Sequence, residues 1–202
     1  MPDPTSVIFA KSAFVPIAVG FFGLGVGYLI YGPQELFGFP ARSRAVDIGS
    51  GIWGIWMPGF LQFLAGTYLF VGLSWLGSFT TPPLYMAALA FTAFGVHWWA
   101  IGLSRALGGD GRLNGLMSIP FIVLSVLGVV VFFTAGDWPV GLVFIGLTGV
   151  YVFDFFASLF PGPVGRLGDV GLGLFRLATG AWLMYMTWAV TVDTSLGYKL
   201  PT

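Results

Sequence analysis

Long apolar runs, each with almost no charge and separated by short polar links, dictate what this chain can fold into. Six such runs cover residues 12–31, 46–76, 84–104, 115–134, 139–160 and 170–192. A bilayer core takes roughly 20 mostly apolar residues as one helical span. Lipid offers no partner to the backbone, so a spanning segment must satisfy its own hydrogen bonds. Charged residues make up 8% of the 202, against about 25% in an ordinary globular domain. The sequence therefore predicts an all-α polytopic membrane protein, with six transmembrane helices forming one bundle per protomer. A single transmembrane domain over 1–202 uses the whole chain, with membrane lipids around it and no further domain left over. The second run is longer than a span needs and carries Pro58, which is expected to break it.

Several function classes are disfavoured at once. Eight basic residues cancel eight acidic ones, so no excess of positive charge exists to neutralise phosphates and no nucleic-acid partner is expected. Cysteine is absent, which removes disulfide frameworks, thiolate zinc sites and iron–sulfur ligation. His97 is the single histidine and has no Asp or Glu at ligand spacing, so no metal site and no cofactor is expected. No nucleophile elbow, no His-x-x-x-His and no paired haem ligands occur. The chain is not expected to be an enzyme.

Loop charges set an orientation. Arg42, Arg44, Arg105, Arg112 and Arg166 fall in the links after spans 1, 3 and 5, whereas the other links carry no Lys or Arg. The positive-inside rule puts the arginine-bearing links in the cytoplasm and both termini outside, in a multi-pass protein of the cytoplasmic membrane. The first run is too long, and its front end (Asp3, Lys11) too weakly basic, for a signal peptide. Trp75 and Trp138 fall at outer boundaries, where aromatic belts sit. Pro33, Pro40, Pro82, Pro83, Pro161 and Pro163 are read as loop residues. The glycine-rich link GGDGRLNG has no preceding strand and no Gly-Lys-Ser/Thr, which excludes a phosphate loop.

Ionisable groups inside spans are functional candidates. Asp154 in YVFDFF and Arg176 in GLFRLA lie on either side of the turn near residues 163–165. Antiparallel spans 5 and 6 are expected to bring them to one depth. The pair then either locks the hairpin or forms a polar gate at the inner mouth of a pore, and a pair lining a pore does both. His97, in AFGVHWWAIG, is read as an interhelical hydrogen-bonding residue, with proton sensing as the sharper option. Gln62, Thr67, Thr92, Ser118, Ser125, Thr148, Thr179 and Thr187 are neutral polar groups that glue helices or line a path. Asn114 is a candidate cap for span 4. Gly20, Gly23 and Gly27, then Gly51, Gly54, Gly59 and Gly66, then Gly173 and Gly180 recur at helix-packing spacing.

Two families resemble the chain. FPARSRAVDIGSGIWG (residues 39–54), AFT with Trp98–Trp99 and GGDGRLNGL, GDW at Gly136–Trp138, PVGRL at Pro163–Leu167 and LATGAWLMY in span 6 together resemble the amide and urea channel family (the AmiS/UreI type). Where that family's fifth helix is tryptophan-rich, this chain has Phe144, Tyr151 and Phe153. The histidine-bearing outer loop of its acid-gated members is absent. GFLQFLAG at Gly59–Gly66 and AFTAFGVHW at Ala90–Trp98 are similar to helices 2 and 3 of the acetate uptake transporters (the SatP type), ranked second; Phe94 and Phe21 or Phe22 would narrow that pore.

Either resemblance implies a narrow aromatic path through each protomer and a homo-oligomer, a hexamer by that resemblance. The candidate lining is Phe21, Phe22, Phe94, Trp98, Trp99, Tyr151 and Trp182, with Thr92, Thr148 and Thr179 as sparse polar groups. Such a slot passes small neutral molecules and blocks hydrated ions. The first expectation is a channel for a small solute such as urea or a short amide. The alternatives are uptake of acetate or another short monocarboxylate, and a non-transporting membrane subunit of a larger complex.

Overall fold

The computed structural model describes residues 15–202 and shows six helices. They are α1 (Ile17–Phe37), α2 (Arg44–Ser74), α3 (Pro83–Leu107), α4 (Arg112–Thr134), α5 (Trp138–Leu159) and α6 (Gly162–Leu196). The first five are each long and apolar enough to cross a membrane. The sixth has 35 residues, about 52 Å at 1.5 Å per residue, so it outruns a bilayer core of about 30 Å. Its excess length carries Arg166 and Asp169 at one end and Asp193 at the other.

The ends of the spans differ from expectation, and each difference has a local cause. The expected start of span 1 at Ser12, like Lys11, lies outside the described residues. At its other end α1 continues through Pro33 to Phe37 and stops at Gly38, whose φ of 66° is left-handed and whose N–H bonds the Gln34 carbonyl. Pro33 is thus helical, and Gln34 and Glu35 belong to the bundle. Pro58 does not break α2. The helix widens into one π turn over Ile55–Phe60, which absorbs the backbone donor that proline lacks. Ser43 caps its start, accepting from the Val46 N–H at 3.3 Å. Pro83 and Pro163 are in the first turns of α3 and α6, where a missing N–H costs nothing. Asn114 is already inside α4 and does not cap it; the carboxylate of Asp110 accepts from the Arg112 N–H at 3.0 Å instead. Asp137 caps α5 through the Val140 N–H at 3.2 Å.

The helices form a ring in chain order. Each packs on its neighbour, and α6 closes the ring on α1. Glycine makes three of these seams possible. A Cβ at Gly51 would sit 2.6 Å from the Gly102 carbonyl, and one at Gly27 would sit 2.7 Å from the Pro58 ring. Along α1–α6, Gly32 meets Leu177 and Arg176 while Gly173 meets Leu36. The seam between α3 and α4 has fewer backbone approaches and is filled by aromatic rings: Phe121 stands 5.3 Å from Phe94 and 4.5 Å from His97 between centroids. The outer surface of α4 is apolar, with Leu116, Ile119, Val123 and Val130 exposed, as suits a helix facing lipid.

Candidate solute path

Two cavities lie inside the ring, one toward each end, and the helices that line each stand on opposite sides of it. The first opens at the end carrying the arginine-bearing links and has a volume of about 520 Å³. Its walls include Tyr31 and Glu35 from α1, Arg105 from α3, Asp154 from α5 and Arg176 from α6. The second, at the other end, is about 60 Å³ and apolar, walled by Phe21, Leu24, Phe91, Phe144 and Leu147 with Gln62 among them. That still exceeds the roughly 10–15 Å³ one water needs.

One aromatic layer separates them. Tyr28 and Trp98 lie 5.9 Å apart between centroids, Tyr31 meets Trp98 edge-on at 5.0 Å, and Phe94 stacks on Tyr151 at 5.8 Å. All five are buried. His97 is wedged between Phe121 and Tyr151, and its Nδ1 has no hydrogen-bond partner among the described residues. The same is true of the Tyr28 hydroxyl and of both amide atoms of Gln62. Buried polar atoms normally find partners, so these atoms carry hydrogen-bonding capacity that the described residues do not meet.

The charges of the polar cavity are arranged differently from the expected Asp154–Arg176 pair. Arg176 is paired with Glu35 through Nη1. Asp154 instead accepts from the hydroxyls of Ser118 and Ser158, each at 3.0 Å. The hairpin register explains why. The turn falls at Phe160–Gly162, earlier than expected, so Gly171 stands against Phe153 and Gly146 against Thr179. Asp154 is therefore level with Gly171, and Arg176 lies five residues deeper, about 7–8 Å along the axis. Side chains lean toward the N-terminus of their helix. Arg176 on α6 thus reaches out toward the cavity mouth, and Glu35, which the contacts of Gly32 with Arg176 and of Gly173 with Leu36 set closer to its level than Asp154 is, meets it. Arg105 lies 4.2 Å above the Tyr31 ring, bonds Ser50 Oγ at 3.3 Å and pairs with Asp47 at 3.6 Å.

Not every candidate lining residue is in the ring's interior. Phe21, Phe94, Trp98 and Tyr151 are buried there, whereas Thr179 is buried against Gly146 in the α5–α6 seam. Phe22 is 42% exposed on the outer surface, one residue of helical rotation away from Phe21. Trp99 packs on Phe63 at 4.8 Å and against Gly59, in the α2–α3 seam. Trp182 donates to the Pro139 carbonyl at 3.0 Å and stacks on Tyr185, bracing α5 to α6. Thr92 abuts Gly66, and Thr148 donates back to the Phe144 carbonyl at 2.8 Å. Trp75 is 83% exposed at the end of α2. The residues that sequence reasoning did not single out are Glu35, Tyr28, Tyr31 and the inward-turned Arg105. Gly-Pro at residues 32–33 reads as a turn, which hides Glu35; the available signal was that Gln34 and Glu35 extend the helical spacing of Tyr28 and Tyr31.

No family model matches the sequence, and no curated protein matches it. Among solved structures, the fold is similar to that of the bacterial acetate channel SatP. The TM-score is 0.72 at 16% identity, over 93% of this chain and 97% of that one. The likeness is one of fold: an all-helical, multi-pass membrane protein.

Proposed function

We propose that the chain is a channel or facilitator whose solute crosses each protomer along the axis of the helix ring, and that the solute is a short monocarboxylate of the acetate kind. The observation that carries this reading is the pair of cavities at opposite ends of the ring with a single aromatic layer between them. The likeness to an acetate channel supports acetate ahead of urea or a short amide, and so does a buried arginine in the polar cavity.

An aromatic layer excludes a hydrated ion because stripping its water costs far more than stripping a neutral acid. In this reading the undissociated acid passes Tyr28, Phe94, Trp98 and Tyr151 between the apolar cavity and the polar one. Phe21, Phe94, Trp98 and Tyr151 keep their place as lining candidates. Phe22 faces the outer surface, and Trp99 and Trp182 serve packing instead. Flux of this kind rises as external pH falls.

Stopped-flow light scattering on proteoliposomes tests the reading with acetate, urea and acetamide at pH 5 and pH 8. Acetate rates above those of empty liposomes, and steeper at the lower pH, are expected. Urea or acetamide flux alone would move the chain to the amide reading. Rates equal to empty liposomes for all three would leave a non-transporting subunit.

A further inference from the structure

Arg176 and Glu35 are bonded at a single point although Arg176 is buried and Glu35 is largely shielded. Arg176 uses Nη1, while its Nε has no partner among the described residues; Glu35 uses Oε1, while its Oε2 has none. A guanidinium and a carboxylate left to themselves form two parallel hydrogen bonds. Here each group keeps an unmet valence, and both wall the polar cavity. Arg105, the neighbouring guanidinium, is already engaged by Asp47 and Ser50. Asp154 is engaged by two serines. Arg42 and Arg112, exposed at the cavity's mouth, are paired with Asp47 and Asp110, so the open buried donor of the cavity is Arg176, and the group holding it, Glu35, sits in the last turns of α1.

We infer that Arg176 is the binding site for the carboxylate of a solute in the polar cavity, and that Glu35 is a resident competitor occupying Arg176 when no solute is there. A buried guanidinium requires a counter-charge. Glu35 supplies it in the empty protein, and an entering carboxylate takes over one or more of the Arg176 N–H groups. The competition keeps the site weak, and a conducting site must release what it binds. The identity of the solute rests on the proposed function; the site itself is read by binding, without flux.

The test uses the full chain in lipid nanodiscs, titrated with sodium acetate by calorimetry and melted across an acetate series, with sodium chloride at equal ionic strength as reference. Glu35→Gln removes the competitor and leaves Arg176 in want of an anion. It is expected to bind acetate several-fold more tightly than wild type and to gain thermal stability as acetate rises. Because Arg176→Gln alone strands the Glu35 carboxylate and endangers folding, the control is Glu35→Gln/Arg176→Gln, a neutral pair that lacks the guanidinium, expected to show neither effect. Equal acetate response in the double variant and in Glu35→Gln, or no response in either, overturns the inference. Chloride acting as well as acetate overturns its carboxylate assignment. Arg176-dependent binding without acetate flux in proteoliposomes would retain the site and remove the transport reading; flux without such binding would do the reverse.

Discussion

Phe94 on α3 and Tyr151 on α5 stack with 12° between their ring planes and 5.8 Å between centroids, one helical turn from Trp98, which meets Tyr28 on α1. If this layer limits passage, its width sets the largest solute admitted. Phe94→Ala would cost about 3–5 kcal/mol of core packing, so Phe94→Leu is the better probe. It is expected to leave acetate flux in place and to raise the rates of larger acids, butyrate above all, several-fold. Tyr151→Phe keeps the ring and is expected to change neither. Relative rates for a series of acids in proteoliposomes check this; an unchanged size series in Phe94→Leu would place the constriction elsewhere.

Gly51 and Gly102 bring the backbones of α2 and α3 together, and a Cβ on either would lie 2.6 Å from the other's carbonyl oxygen. Alanine at either position must push the helices apart. Overpacking of this kind costs about 1–3 kcal/mol. Gly49→Ala on the same helix meets no atom within 4 Å and is expected to stabilise by about 0.5–1 kcal/mol through helix propensity. Thermal unfolding in detergent separates them, since the two effects have opposite signs.

The helices were legible because a long apolar run has few other uses, and Gly51, Gly59, Gly66, Gly173 and Gly180 proved to be at helix seams as their spacing implies. Charge placement was harder to read. Whether Glu35 lies in a loop or in the bundle depends on two residues, Gly32 and Pro33, that look like a turn and are helical. Whether Asp154 meets Arg176 depends on hairpin register, which shifts with the turn by several residues. Phe21 and Phe22 differ by one residue of rotation, and apolar residues on every face of a spanning helix give no moment to tell inside from outside. The partners of Arg176 and Arg105 come from α1 and α2, far away in sequence, and no local pattern announces them.

Asp110 and Asp137 stand outside the spans and titrate in opposite directions. The Arg112 side chain, then its N–H, holds the Asp110 carboxyl down to about 2 from an ordinary 3.8. Its contribution is present above 3.8 and fades as pH falls through about 2. Arg112→Gln should return the midpoint toward the ordinary value in a carboxyl carbon-13 titration. Burial raises Asp137, against the pull of the Val140 N–H. The folded state therefore prefers that carboxyl protonated, and stability falls as pH rises above 3.8 toward the raised value. Asp137→Asn keeps the cap without the charge. Its melting temperature should match wild type at the acid end and exceed it at neutral pH; a lower value at neutral pH would show that the carboxylate's charge on the α5 N-terminus outweighs its burial.

Ser118 has one hydroxyl proton and two acceptors, the Asn114 carbonyl and Asp154 Oδ2, both at 3.0 Å. Asp154 therefore has one assured donor, Ser158, and one contested donor. Ser118→Ala removes the contested one and leaves a buried carboxylate under-bonded, at a cost of about 1–3 kcal/mol. Asp154→Asn brings an N–H₂ of its own, which donates to the Ser118 oxygen and frees the serine proton for Asn114. It also removes a charge from a buried site, where an ion is costly to desolvate. Melting temperatures in detergent are thus expected to fall in Ser118→Ala and to hold or rise in Asp154→Asn. The opposite order would mean that the negative charge of Asp154 is what the fold requires, as a counterweight to Arg176 and Arg105 across the same cavity, rather than its hydrogen bonds.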